Sequence, residues 1–420
     1  MSFPSLPHRG LCLVVFGMVL MVALDDDPVA AQPKMLSSES HVSLITILPG
    51  DPVYTFAGHS AFRVHDPVRG IDRLYNYGTF NFNDPLFIPK FTYGYLRYFL
   101  SVTRYPPTVR AYQQEGRPVI SQRLNLTQSQ RSRLYAFLEQ NARPENRYYQ
   151  YNFFYDNCST RLRDALKQTL GPQVDFSDAP APDKSFRRLL DPYVASRPLL
   201  DLGFDLGLGL PADRIATASQ GMFLPDYLMR AFDEASVSIR GETHPLVTRT
   251  DTVQWVPGYD AKEAAFDWPV LASVFFLLLV LTWTGWQAMT NRTPTGRGDA
   301  VLFSIVGFAG LVICYLWFVA TYAVTDNNLN LLWAWPTHLF AAALLVKRPN
   351  SDRLRLYLGA TAAAGLAFAV GWPLWPQNFH VAVLPFALGV SVRAGWWALL
   401  STGTESPSRA PQQGQVYASS

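Results

Sequence analysis

The stretch His41-Val42-Ser43-Leu44-Ile45-Thr46-Ile47-Leu48, followed by Pro49-Gly50-Asp51-Pro52 and then by Ser60-Ala61-Phe62-Arg63-Val64-His65, sets the fold. Both apolar runs alternate with period two, as strands with one buried face do, and the Pro/Gly/Asp cluster turns the chain between them. Working outward, Asp66-Pro67 and Arg69-Gly70 mark a second turn, and Arg73-Leu74-Tyr75-Asn76-Tyr77-Gly78 reads as a third strand. Three antiparallel strands are the simplest assembly. The period then becomes helical. Thr127 to Asn141 starts on a Thr cap, and Cys158 to Leu170 sets Leu162, Ala165, Leu166 and Thr169 on one face before stopping at Gly171-Pro172. The exported part is therefore expected to be α+β, with a mostly helical extension at 174–267 in which Ser185 to Leu190, Tyr193 to Leu200 and Leu224 to Ala235 look helical. Ser236 to Val256 reads as a polar hairpin leading to the membrane.

The remainder is apolar. Of 420 residues, 49% are hydrophobic and only 16% charged, which fits a water-exposed half joined to a lipid-embedded half. A net charge of +3, scattered along the chain, gives no footprint for nucleic acid. His8 and Arg9 precede an apolar run from Leu11 to Leu24, and Val29-Ala30-Ala31 resembles a small-residue cleavage site, so residues 1–31 are expected to be a secretory signal peptide. An uncleaved N-terminal anchor is the alternative, because three aspartates follow Leu24. Five apolar runs lie beyond Ala265: Trp268 to Met289, Ala300 to Tyr322, Leu329 to Val346, Leu356 to Trp375 and Val381 to Leu400. Each is near the roughly 20 residues that a bilayer core requires, which predicts an all-α bundle of five transmembrane helices over 268–400. Arg292 and Arg297, then Lys347, Arg348, Arg353 and Arg355, occupy alternate connections, so the positive-inside rule puts these in the cytoplasm and residues 32–267 outside. The Ser/Pro/Gln/Gly-rich tail 401–420 reads as disordered.

The chemistry is sought at a cysteine. The chain has three: Cys12 in the export signal, Cys314 in an apolar span, and Cys158, which has no disulfide partner in its own domain. A free thiol in an oxidising compartment is a liability unless its reactivity is used. Asp156-Asn157 caps the helix that Cys158 opens, and the unsatisfied N–H groups there favour a thiolate and can hold an oxyanion. His59, where a loop enters the second strand after Gly58, is the candidate base, and Asn76 on the neighbouring strand is the candidate orienter of its ring. His65 is the competitor for either role; it points to the same face but stands about 20 Å along the strand, which makes it the weaker general base. The bland readings are a small buried hydrophobe for Cys158 and a satisfied structural residue for His59. His41 and His244 read as surface residues. No histidine or cysteine spacing matches a metal site, and no cofactor is called for. The aromatic clusters at Phe91 to Phe99 and Tyr148 to Tyr155 suit a membrane interface, an acyl groove or plain core packing. Asn157, Tyr155 and Tyr93 are candidate substrate contacts, as are Asn328 and His338 in the membrane half, for which helix capping and interhelical bonding are the alternative.

Several of these segments also carry a resemblance. Gly58-His59-Ser60, Tyr75-Asn76-Tyr77-Gly78-Thr79-Phe80, Phe91-Thr92-Tyr93-Gly94, Tyr98-Phe99-Leu100 and Tyr151-Asn152-Phe153-Phe154-Tyr155-Asp156-Asn157-Cys158 are similar to the periplasmic domain of the Lnb family of bacterial lipoprotein N-acyltransferases. Phe223-Leu224-Pro225 and Asn328-Leu329-Asn330-Leu331-Leu332 with Pro336 extend the likeness. The His-before-Cys order resembles circularly permuted papain-like folds. The resemblance implies that Cys158 is the nucleophile and His59 the base, with Asn76 or a second histidine as the third member. It further implies a membrane lipid and a lipoprotein as substrates, with acyl transfer within one lipoprotein, on the outer face of a bacterial cytoplasmic membrane. The rivals are a membrane-tethered thiol amidase or endopeptidase acting on cell-wall peptides, and a non-catalytic sensor or receptor. The oligomeric state is left open.

Overall fold

A computed structural model describes residues 35–81, 85–95, 97–259, 265–292 and 294–400. The expected signal segment 1–31 and tail 401–420 lie outside the described residues.

β1 (His41–Ile47), β2 (His59–Asp66) and β3 (Ile71–Thr79) form the expected antiparallel meander, but they are the middle of a larger sheet. After β3 come α1 (Phe87–Tyr93), β4 (Arg97–Arg104), α2 (Tyr105–Gln114), β5 (Val119–Leu124), α3 (Gln128–Asn141), β6 (Tyr148–Gln150) and α4 (Cys158–Leu170). The extension holds β7 (Val174–Asp175), α5 (Phe186–Val194), α6 (Pro198–Gly207), α7 (Ala218–Gly221), α8 (Pro225–Glu234), β8 (Ser236–Ile239), β9 (Glu242–Pro245) and β10 (Val247–Gln254). The sheet has seven strands in the order β10-β5-β1-β2-β3-β4-β6. This corrects two readings: the sheet is more than three strands, and β10 is not a connecting hairpin but an edge strand paired along β5.

The sheet buries both faces. Leu44, Phe62, Val64 and Tyr75 pack against Leu134, Leu162, Leu166 and Phe232 from α3, α4 and α8. On the other face Ile45, Ile47, Ala61, Leu74 and Val119 meet Tyr105, Val109 and Tyr112 of α2. Strand alternation does this: odd residues of β2 face α2 and even ones face α4. Gly58, at φ +86, precedes β2, and a Cβ there would lie 2.6 Å from the Ile47 carbonyl oxygen, so only glycine lets the chain enter the sheet this closely.

The C-terminal part is helical: α9 (Trp268–Met289), α10 (Arg297–Phe318), α11 (His338–Lys347), α12 (Asp352–Val370) and α13 (Val383–Leu399). Two of these, α9 and α10, are long and apolar enough to cross a membrane. Each has 22 residues, about 33 Å, and each leaves large apolar chains such as Phe275, Leu278, Ile305 and Phe308 exposed. The third apolar run is not one helix. It breaks into a 3-10 turn over Leu329–Leu332 and the 10-residue α11, because Asn328 caps the turn and Pro336 supplies no backbone N–H to continue a helix through the gap. At one end of the bundle Arg393 makes a bidentate pair with Asp299 at 2.6 and 2.7 Å and donates to Gln287 and Thr284, joining α9, α10 and α13.

Candidate active site

α4 begins at Cys158 because Asn157 caps it. The Asn157 Oδ1 accepts from the N–H of Ser159 at 2.9 Å and of Thr160 at 3.0 Å, and the Thr160 hydroxyl accepts from the Asn157 N–H at 2.8 Å. The amide Nδ2 donates to the Phe153 and Phe223 carbonyls. Every polar atom of Asn157 side chain is thus committed to holding the helix end, which makes it a positioning cap and not a substrate contact. The cap does not use the N–H of Cys158 itself, which turns toward its own sulfur.

His59 and Asn76 come from the α2 side of the sheet, whereas Cys158 arrives on α4 from the other side. Cys158 reaches the sheet end beside Gly78, two residues after Asn76, where a Cβ would stand 3.5 Å from Cys158 Cβ and 3.9 Å from its nitrogen. The backbone N–H of Ser60, the amide that directly follows His59, is directed at the Cys158 sulfur. The Ser60 and Ser159 hydroxyls bond at 3.2 Å and tie strand start to helix start. No hydrogen bond joins His59 to Cys158 among the described residues; the sulfur stands 3.9 Å from the Ser159 hydroxyl.

The histidine ring is oriented by Asn76, whose Oδ1 is 3.4 Å from His59 Nε2. Asn76 Nδ2 donates to Thr103 Oγ1 at 3.1 Å and to the Leu74 carbonyl at 3.4 Å, so the amide oxygen must face the ring. An acceptor opposite Nε2 makes that nitrogen the N–H, and the lone pair falls on Nδ1. Burial, and then the Arg117 guanidinium, hold the ring's pKa down to about 4 against the opposing effect of the Asn76 bond. Burial also pushes the Cys158 thiol above its ordinary value, and the N–H groups of Ser60, Ser159 and Cys158 with the Ser159 hydroxyl only partly offset this. Against the expected thiolate, desolvation outweighs the helix N-terminus at Cys158, and burial favours the neutral form of both the thiol and the imidazole.

One residue that sequence reading passed over as part of an aromatic run is Tyr149. Its hydroxyl is buried without a hydrogen-bond partner among the described residues. Its ring is held edge-on by Tyr77 at 6.1 Å and covered by the Arg161 guanidinium at 4.0 Å. Burial first, and then the neighbouring Cys158, raise its pKa well above the ordinary phenol value, and the Gly78 N–H points toward its oxygen too loosely to count as a bond. Nothing in the sequence distinguishes it from Tyr148 or Tyr151; Tyr149 and Tyr151 both feel Cys158, and of the two Tyr149 has the buried hydroxyl that lacks a partner among the described residues.

The other candidates lie elsewhere. His65 packs against His41, with ring centroids 4.7 Å apart and planes tilted by 50°, at the far end of β2, so His41 is a half-buried partner and not a free surface residue. Tyr155 packs edge-on against Phe186 at 5.6 Å. Tyr93 is exposed beside the end of α10. Asn328 donates to the Leu206 and Gly207 carbonyls at 2.8 and 3.2 Å and accepts from Asn330 and Gln377. His338 is fully buried, 2.7 Å from the Tyr357 hydroxyl. The side-chain polar atoms of both are engaged by protein partners, as the capping and interhelical-bonding alternative expects.

Two family models match the chain: the Lnb N-terminal periplasmic domain over residues 32–192 and the Lnb transmembrane domain over residues 261–405. No curated protein and no solved structure matches it. With the thiol end of the sheet inside the first match and the helical part inside the second, the chain is a membrane protein with a periplasmic domain, and it belongs to the Lnb family.

Proposed function

We propose that this protein is a cysteine-dependent acyltransferase of the bacterial cytoplasmic membrane. It moves a fatty acyl chain through an S-acyl Cys158 to the N-terminal amine of lipoproteins. The observation that carries the reading is the Asn76-fixed tautomer of His59, whose basic Nδ1 belongs to the residue next to the Ser60 amide aimed at the Cys158 sulfur. Membership of the Lnb family supports it. The domain is read as a permuted papain-like fold, with the catalytic end outside and the Arg-bearing loops of the bundle in the cytoplasm.

In the first half-reaction His59 Nδ1 takes the thiol proton as sulfur attacks an ester carbonyl. The oxyanion is held by the Cys158 N–H and the Tyr149 hydroxyl, donors of the kind that contribute about 3 kcal/mol each. Collapse breaks the acyl C–O bond, His59 returns the proton to the leaving glyceryl oxygen, and a thioester remains. In the second half a lipoprotein α-amine attacks the thioester. It gives its proton to His59, the amide C–N bond forms, and sulfur leaves to be reprotonated by the imidazolium. Because both groups rest neutral, the proton moves as the bond forms.

The test uses the full chain in nanodiscs with a diacylated lipopeptide and phospholipid, read by intact mass. Wild type should show an acyl adduct on Cys158 and a lipopeptide heavier by one acyl chain, or unchanged in mass if transfer is within the lipopeptide. Cys158→Ser should show neither adduct nor N-acylation. Equal N-acylation by Cys158→Ser would overturn the proposal, and release of free fatty acid or cleaved peptide alone would favour a hydrolase.

A further inference from the structure

Between β3 and β4 the chain leaves the sheet, forms α1 and reaches the bundle. The Thr321 N–H, three residues past the end of α10, donates to the Tyr93 carbonyl at 2.9 Å, and its hydroxyl lies 3.3 Å from the Tyr93 and Gly94 carbonyls. Gly94 stands at φ +87, and a Cβ on it would come within 2.5 Å of the Thr321 hydroxyl, so the backbone conformation and the close approach both favour glycine. The loop is thereby fixed at the end of a membrane-spanning helix. Tyr93 and Tyr95, on either side of the anchor, are 44% and 52% exposed. The turn before His59 presents Val53 at 61% exposure, and its Phe56 packs on Phe204 of α6 at 5.6 Å. That helix itself touches α9 and α10. At this same end of the bundle α9 begins with exposed Phe266 and Trp268. Aromatic side chains ringing one end of an apolar bundle occupy the headgroup level of a bilayer.

From this rim a series of rings leads inward. Tyr54 meets Phe80 at 6.2 Å, Phe80 stacks on Tyr98 at 4.9 Å, and Tyr98 stacks on Tyr151 at 4.3 Å. The Tyr151 ring edge lies against Gly78, the glycine that abuts Cys158. We infer that the 53–56 turn and the 93–95 loop are seated in the leaflet on the catalytic-domain side. They form a lateral mouth through which a lipid acyl chain passes along Phe80, Tyr98 and Tyr151 to the thiol. The membrane seat stands on the anchoring and exposure alone; the identity of the guest as an acyl ester rests on the acyltransferase reading. The occupant is a bilayer lipid, because the mouth is continuous with the lipid-facing surface of α10.

The seat is tested by spin labels on Val53→Cys and Tyr95→Cys, in a full-length Cys12→Ser, Cys158→Ser, Cys314→Ser background in nanodiscs. Val68→Cys on the turn at the opposite end of the sheet is the reference. The first two labels should collide more with oxygen than with a water-soluble nickel chelate, and the Val68 label should do the reverse; nickel-dominated collisions at both rim sites would overturn the seat. The lane is tested by S-acylation of Cys158 in otherwise native protein. Phe80→Ala should slow reaction with a long-chain ester by about tenfold, the worth of one or two lost methylene contacts, and leave a short-chain ester unaffected. Equal slowing with both esters would overturn the lane. A wild type that forms no adduct with either ester would sink the acyltransferase reading and the lane with it, while the label result would still decide the seat.

Discussion

At the residue scale, burial disfavours the charged form of both Cys158 and His59. Activity should persist well below the ordinary imidazole range and fall as pH drops through about 4, where His59 gains a proton on Nδ1 and can no longer accept one. Arg117 contributes to that low value, so Arg117→Met should move the acid limb of the rate profile upward; an unmoved limb would show that another group controls it. Without substrate, iodoacetamide should alkylate Cys158 slowly at neutral pH and faster only as pH rises above 9, the ordinary value from which burial raises it. Tyr149→Phe separates catalysis from packing: deleting a buried hydroxyl with no partner should leave stability unchanged or raise it, while turnover falls about a hundredfold. Loss of both together would make the hydroxyl structural. Cys158, His59 and Asn76 could be singled out from sequence because each has chemistry that a strand or helix start does not need. Asn157 was recognisable as a cap for the same reason, yet its full commitment to the Phe153 and Phe223 carbonyls depends on distant folding.

At the element scale, α4 carries the nucleophile and depends on its cap. Asn157→Ala removes two bonds to helix N–H groups and strands two carbonyls. A loss of about 2 to 4 kcal/mol is expected, visible as a lower thermal midpoint in detergent. Asn157→Asp should recover part of it by keeping the acceptor. The meander β1 to β3 and the helices α3 and α4 were legible because one apolar face repeats along each of them. β5 was not: it is covered on both faces and buries Gln122, which donates to Asp233 at 2.6 Å, so a polar residue sits where alternation asks for an apolar one. β10 reads Val-Thr-Arg-Thr-Asp-Thr-Val-Gln, an edge strand whose outward face is nearly all polar, and only its pairing with β5 makes it sheet. The third apolar run misled because hydropathy counts Leu329 to Leu332 without registering that Asn328, Asn330 and Pro336 interrupt the backbone.

At the scale of the whole molecule, two polar networks hold the parts in register. The Asp299–Arg393 pair is buried, with the guanidinium donating to Asp299, Thr284 and Gln287, and Trp397 adds a bond to Asp299 at 2.8 Å. Asp299→Ala should destabilise the bundle by about 3 to 5 kcal/mol by leaving a buried cation unpaired, and Asp299→Leu combined with Arg393→Met should restore much of it. Equal thermal midpoints for the single and double variants would contradict this. The second network docks the extension on the bundle: Arg187 holds Asp205 and Asp213, Asp213 accepts from Asn378 at 2.8 Å, and Asn328 and Gln377 bond the end of α6.

Gly209 completes that joint. Its N–H donates to the Val324 carbonyl at 2.9 Å, and a Cβ on it would stand 1.9 Å from the Asp326 carbonyl oxygen, closer than any methyl group can approach. The halves of this protein are therefore not interchangeable cassettes. A chimaera that grafts a relative's helices onto this ectodomain should assemble only when the 205–213 loop and its counterparts at 324–330 and 377–378 are transplanted together.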